Sequence, residues 1–262
     1  MTLIVGIRCT DGIVLAADGA ATLGSLGQQT AQQRTVKKLS ILPGSIVVGV
    51  SGPVGLSQRF QAVLDQGFQA NRYSARAEVA MGVMRTDLWE VLGPEWAAAH
   101  TVASVIGPQA AMSSALSSAL VALPLNGRAE LVEFDQQCAP TLATNDLPFM
   151  AVGSGQGIAD PFLAFIRKVF WPQGCPTVRD GIFSAAWAVE HAIHTSPGGV
   201  APPLQVVVLE PNGGGGWQAR ELPDTDLRDH HHAIEDAEHT LKGWRDALTG
   251  APGVPPAQRP PA

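Results

Sequence analysis

Leu3-Ile4-Val5-Gly6-Ile7-Arg8-Cys9-Thr10-Asp11-Gly12-Ile13-Val14-Leu15-Ala16-Ala17-Asp18 is the stretch on which the reading of the fold turns. Two apolar, partly β-branched runs, Leu3–Arg8 and Ile13–Asp18, flank Cys9-Thr10-Asp11-Gly12. Asp-Gly between such runs predicts a β-hairpin. Directly before the hairpin stands Thr2, next to Met1. Loss of Met1 would leave one residue with both a hydroxyl and a free α-amine. The reference pKa of such an amine, about 7.7–8.0, lets much of it act as a base near neutral pH. A hydroxyl beside such a base is one form of activated nucleophile.

Outward from the hairpin the pattern repeats. Lys38–Leu42 and Ser45–Ser51 read as strands around Pro43-Gly44. Leu56, Phe60, Val63 and Leu64 follow at helical spacing, then Val79, Val83, Met84, Leu88, Val91 and Leu92. Four strands and two helices are therefore expected, the second helix ending at Gly93-Pro94. Strand patterns return at Ser117–Leu125, Ala129–Phe134 and Phe149–Val152, and Gly153-Ser154-Gly155 leads into a helix near Ile158–Phe170. Thr177 with Asp180 three residues on resembles a capping box and opens a helix to about Ile193. Leu204–Leu209 and Trp217–Leu222 close as strands around Asn212 and four glycines. Segregated runs of strands and helices predict an α+β fold with helices outside two packed sheets. Residues 224–248 read as a further helix, acidic at its start (Asp224, Asp226) and basic at its end (Lys242, Arg245), as suits a helix dipole. From Gly250 the chain is rich in Pro and Gly, the composition of a disordered tail. The expected organisation is a core over 1–222 and an acidic helical extension over 223–262.

Composition narrows the function. The net charge of −6 argues against a nucleic-acid partner. Acidity concentrates in residues 221–250, with eight acids against three bases. Cys9, Cys138 and Cys175 form no CxxC, so neither a disulfide framework nor a zinc site is expected. The N-terminus lacks a signal-peptide pattern, and no run is apolar and long enough to cross a bilayer. A reducing cytoplasm is the expected compartment. The nucleotide motif GxxxxGK[ST] does not occur, and no cofactor is expected. His230-His231-His232, with Asp229 and His239 nearby, invites a metal reading. Consecutive helical residues do not share a face, so a solvated helix is expected instead. Trp89, Trp96, Trp171, Trp187 and Trp217 read as core or interface anchors, and Trp244 as an anchor for docking the extension.

Val5-Gly6-Ile7 through Ala17-Asp18 resembles the N-terminus of proteasome β-subunits, a family of N-terminal-nucleophile hydrolases. Asp18-Gly19-Ala20-Ala21-Thr22-Leu23-Gly24 is similar to that family's Asp-Ser-Arg-Ala-Thr-x-Gly. Thr35-Val36-Lys37-Lys38 resembles the segment that carries its active-site lysine. Gly52 follows Lys38 by fourteen residues, as the family's oxyanion-hole glycine does. Val152-Gly153-Ser154-Gly155-Gln156 is similar to its Val-Gly-Ser-Gly-Gln. Each motif alone is weak, but five in order over roughly residues 2–210 make a specific resemblance. It implies a four-layer αββα sandwich. It also implies that Thr2 is the nucleophile, that Lys38 stabilises its alkoxide or accepts its proton, and that Asp18 holds Lys38. The Gly52 N–H would bind the oxyanion and Ser154 would orient the terminal amine. Thr22 and Gly52 would hold peptide as an added strand, with Val50 facing a pocket for small or medium apolar side chains.

The sequence also departs from the family. The Asp18–Lys38 spacing is about four residues longer than expected, and Ala20 replaces a basic residue. The family's Asp-x-x-Ser-Gly-Gly is altered to His194-Thr195-Ser196-Pro197-Gly198-Gly199. With no aspartate there, Ser196 is the expected support for Ser154 and Thr2. No long pro-sequence stands before Thr2, which points to the bacterial proteasome homologues, of the betaproteobacterial type. The resemblance implies a threonine endopeptidase of unfolded proteins or peptides, built as homo-oligomeric stacked rings, preferably a double heptamer. An ATP-dependent unfoldase or other activator would serve it. Two rival readings are a non-catalytic ring component, inactive through retained Met1 or the altered 194–199 segment, and an amidase of small molecules.

Overall fold

The computed structural model describes residues 2–25, 28–34, 36–108, 111, 115–196 and 199–248. Over residues 22–34 and at Ile106, only the backbone is described. The expected tail beyond Gly250 lies outside the described residues.

β1 (Ile4–Arg8) and β2 (Ile13–Ala17) form the expected hairpin, with Arg8 opposite Ile13 and the Cys9 N–H donating to Gly12 O at 2.9 Å. β10 (Phe149–Val152) pairs with β1, β11 (Gln205–Pro211) with β2, and β12 (Trp217–Glu221) with β11. This first sheet is antiparallel, in the order β10-β1-β2-β11-β12. The second sheet is also antiparallel, in the order β5-β6-β7-β8-β9. It comprises β5 (Leu39–Leu42), β6 (Ile46–Ser51), β7 (Ser118–Leu125), β8 (Arg128–Phe134) and β9 (Pro140–Leu142).

Strand alternation builds the layers. Ile4, Ile13, Leu15 and Ala17 from the first sheet meet Leu39, Val47, Leu120, Ala122 and Leu131 from the second in one buried cluster. Their neighbours along the second sheet, Ile46, Val48, Val50, Val121, Leu123 and Val132, turn to the opposite face. There they pack on Leu56, Phe60 and Leu64 of α1 (Val54–Gln69) and on Met84 and Leu88 of α2 (Ala77–Ile106). With both faces of each sheet covered, the strands read as unbroken apolar runs. On the outer face of the first sheet, α4 (Val178–Thr195) lies across β1 and β2, and α3 (Gln156–Phe170) packs on α4 and β10. The result is a four-layer αββα sandwich.

The α4 start is built from two sequence signals. Thr177 is its N-cap, accepting from the Asp180 N–H at 3.3 Å. Asp180, one methylene shorter than Glu, accepts the Thr177 hydroxyl at 2.8 Å. Asp11 of the hairpin turn accepts a second orphan amide, Val178 N–H, at 2.7 Å.

Three expectations need correction. β3 (Ala20–Ser25) and β4 (Gln28–Arg34) form a separate two-stranded sheet between Asp18 and Lys38, where no strands were expected. Their sequences, AATLGS and QQTAQQR, are small and polar, without the apolar alternation that signals a strand. β9 is three residues long and likewise carries no pattern. The helix expected to stop at Gly93-Pro94 instead continues to Ile106 with Pro94 inside it. Pro94 is exposed, and ring contacts from Trp89 to Trp96 and from Trp96 to His100 span the break. An Arg59–Glu95 ion pair ties the next turn to α1.

The chain divides into two compact units, residues 1–222 and 223–262. The second holds a single described helix, α5 (Asp224–Leu248). No described helix is long and apolar enough to cross a membrane.

Candidate active site

The hairpin sets the site. β1 begins at Ile4 and β2 ends at Ala17, so Thr2-Leu3 and Asp18 extend side by side past the same edge of the pair. Leu3 N–H donates to Asp18 Oδ1 at 2.8 Å, and Asp18 N–H returns a bond to Leu3 O at 3.2 Å. Asp18 is fully buried. Its other oxygen accepts from Ala20 N–H at 3.1 Å and Ala201 N–H at 3.3 Å. Three backbone donors therefore hold the carboxylate before any side chain reaches it.

Lys38, directly before β5 in the opposite sheet, completes the shell. Its Nζ donates to Asp18 Oδ1 at 2.6 Å and to Thr2 Oγ1 at 3.4 Å. The Lys38 side chain is 6% exposed. Burial holds its ammonium below the ordinary lysine pKa, and the Asp18 carboxylate opposes that shift without cancelling it. Lys37, its neighbour, also borders the cleft, and its Nζ pairs with Glu221 Oε2 at 2.6 Å.

Ser154 stands on the other side of Thr2. Thr2 N–H donates to Ser154 Oγ at 3.1 Å, and the Ser154 hydroxyl donates to Thr2 O at 3.4 Å. Gly155 N–H adds a bond to Thr2 O at 3.2 Å. The turn that presents these groups requires Gly153. Its φ is +101°, and a Cβ there would lie 2.2 Å from Thr2 O. Gly52, just past β6, has φ +149°, and a Cβ would meet Leu116 O and Ser117 Cβ at 2.8 Å each.

These groups border one cleft of about 530 Å³, lined by Thr2, Lys38, Val50, Gly52 and Ser154 with Ala21, Val36, Lys37, Ser40, Ser51, Val54, Ser57 and Gln61. Of the candidate residues, Thr2, Lys38, Val50, Gly52 and Ser154 thus line the cleft, and Asp18 lies behind Lys38. The Thr22 side chain lies outside the described residues; its backbone pairs with Gln32 in the β3–β4 sheet. Ser196 follows the last turn of α4. It is the C-cap of α4, its N–H bonded to Ala192 O at 2.9 Å, and it does not line the cleft. Met1, Pro197 and Gly198 lie outside the described residues. Sequence reading missed the α1 face, where Val54, Ser57 and Gln61 line the cleft at helical spacing. It also missed Ala201, which contributes through its main chain, its N–H to Asp18 and its carbonyl to Gly19 N–H at 2.9 Å, and therefore carries no side-chain signal. Among the described residues no group of three His, Cys, Asp or Glu side chains could hold a metal ion.

An αββα sandwich with a hydroxyl-bearing residue at the head of β1 has the fold of the N-terminal-nucleophile hydrolases. A family model described as "Proteasome subunit" matches residues 2–87. Three solved structures of Anbu share the fold along nearly its whole length. The one from Pseudomonas aeruginosa, a helical assembly of the Anbu complex, is 19% identical with a TM-score of 0.66, covering 98% of this chain and 100% of that one. Anbu from Yersinia bercovieri, described as an ancestral beta-subunit, is 16% identical with a TM-score of 0.64, covering 97% and 100%. An Anbu variant from a Hyphomicrobium species is 16% identical with a TM-score of 0.63, covering 92% and 96%. No curated protein matches the chain. The resemblance to the proteasome β-type, in its bacterial form, thus stands on a sequence match to the N-terminal third and a shared fold throughout.

Proposed function

We propose that the chain is a threonine-type peptidase subunit of a proteasome-like assembly, active once Met1 is removed. One observation carries this reading: Lys38 Nζ bridges Asp18 Oδ1 at 2.6 Å and Thr2 Oγ1 at 3.4 Å, while Thr2 N is bonded to Ser154. In the reaction, Thr2 Oγ attacks a peptide carbonyl and its proton passes to the Thr2 α-amine, through water. The Lys38 cation lowers the cost of the developing alkoxide, and the Gly52 N–H binds the tetrahedral oxyanion. The ammonium then returns its proton to the leaving amine, and water hydrolyses the resulting ester. Peptide enters as an extended strand held by main-chain bonds from Thr22 and Gly52, with an apolar side chain against Val50.

The test combines intact-mass analysis with capture by a peptide epoxyketone. The expected result is a mass lacking Met1 and one covalent adduct per chain on Thr2, abolished by Thr2→Ala. A protein that retains Met1, or a Thr2→Ala variant captured as fast as wild type, would sink the reading.

Identical subunits joined by a heterologous contact close into rings or run on as an open helix, depending on whether the rotation closes. We propose closed stacked rings, as a double heptamer in the cytoplasm, fed by an unfolding partner. The helical description of the Pseudomonas aeruginosa assembly supports the open alternative. Electron micrographs of the purified protein distinguish seven-fold double rings from open helices.

A further inference from the structure

Gln205 opens β11 and pairs with Ala17, the residue before Asp18. Its side chain is buried, on the strand face that Val207 and Leu209 use to fill the space between the sheets. A polar group at such a position costs stability unless its hydrogen bonds are made. Here all of them are. Gln205 Oε1 accepts from Lys38 N–H at 3.0 Å and from Leu39 N–H at 2.9 Å. Its Nε2 donates to Leu39 O at 3.1 Å and to Glu221 Oε1 at 3.3 Å. A carboxamide offers two donors and two acceptor sites, and this one uses all four. The other Glu221 oxygen takes the Lys37 ammonium at 2.6 Å.

The placement matters because the site is split between sheets. Thr2 and Asp18 extend from strands of the first sheet, whereas Lys38 leads into β5 of the second. Apolar packing between sheets is non-directional and does not by itself fix how one strand sits along another. The Gln205 carboxamide does fix it, binding the Lys38 and Leu39 N–H groups and the Leu39 carbonyl at once.

We infer that Gln205 is a positioning residue: with Glu221 it clasps the Lys38–Leu39 backbone from the opposite sheet and sets where the Lys38 ammonium stands relative to Thr2 and Asp18. This rests on the threonine-nucleophile reading above. A displacement of about 1 Å in a reacting constellation can cost on the order of 10² in rate.

The experiment uses the full chain with Gln205→Leu, Gln205→Glu, and Gln205→Glu combined with Glu221→Gln. Peptide hydrolysis is read as kcat and KM separately, and amide hydrogen exchange is resolved at Lys38 and Leu39. Gln205→Leu is expected to lower kcat at least tenfold with KM within twofold, and to speed exchange at those two amides at least tenfold. Gln205→Glu sets two carboxylates against each other and is expected to match that loss. Adding Glu221→Gln supplies a donor between the two side chains again and is expected to recover kcat severalfold, which fold stability alone would not require. Unaltered exchange at Lys38 and Leu39 overturns the clasp, as does a kcat within twofold of wild type. A wild type that the epoxyketone does not capture overturns the peptidase reading, and with it the clasp's catalytic purpose. Accelerated exchange in that case would leave only a structural tie.

Discussion

At the scale of single residues, Asp18 and Lys38 are partners but not equals. Asp18 accepts three backbone N–H groups as well as the lysine. Lys38→Met therefore removes one of the four donors and leaves the carboxylate held by backbone. Asp18→Asn removes the counterion of a buried ammonium and turns an amide NH₂ toward N–H donors. Breaking a buried pair in this way typically costs about 3–5 kcal/mol. The expected outcome in urea unfolding is a loss of that order for Asp18→Asn and well under half of it for Lys38→Met, with epoxyketone capture lost in both. Lys38 also predicts a pH dependence. Its folded pKa lies below the ordinary lysine value, so between the two the unfolded chain holds a proton that the folded chain has released. Stability rises with pH wherever the unfolded state binds more protons. Stability should therefore climb with pH across that window, and Lys38→Met should flatten the climb in a series of unfolding curves.

At the scale of elements, what was legible in sequence followed the strength of the apolar pattern. The β1–β2 hairpin could be read because Asp11-Gly12 sits between two apolar runs, and α4 because Thr177 and Asp180 mark its start. Thr2, Lys38, Gly52 and Ser154 were legible because each sits in a short motif at a fixed order along the chain. The β3–β4 arm was not, since its small and polar sequence carries no apolar alternation. Gln205 was not legible either: a lone glutamine on a strand gives no sign of a partner 166 positions away. Helix α2 was misread because Pro94 is a valid stop signal that tertiary contacts override. That override has a measurable cost. Pro94 lacks the N–H that would bond the preceding turn, and an interior proline typically costs a helix about 3 kcal/mol. Pro94→Ala at this exposed position should raise stability by up to that amount, seen as a higher denaturant midpoint with unchanged slope.

At the scale of the whole molecule, every described residue that lines the cleft lies between Thr2 and Ser154, and the described partners of Asp18 and Lys38 reach Glu221. These described residues all belong to the first unit, and the second begins at Pro223. A chain ending at Leu222 should therefore still be captured by the epoxyketone at Thr2, at a rate within about threefold of full length on the scale where tenfold is 1.4 kcal/mol. Loss of capture in a folded truncated chain would assign the extension a part in the chemistry. The arm between Asp18 and Lys38 carries a different consequence. Its two ends are tied across its base by the Lys38–Asp18 ion pair and by Val36 N–H on Gly19 O at 2.9 Å. Because the closure is at the base, residues added in matched pairs at the far end would extend the ladder outward without moving the lysine. A change of length in the arm should therefore leave epoxyketone capture at Thr2 unaltered, which makes the arm a place to graft a foreign peptide or a reporter.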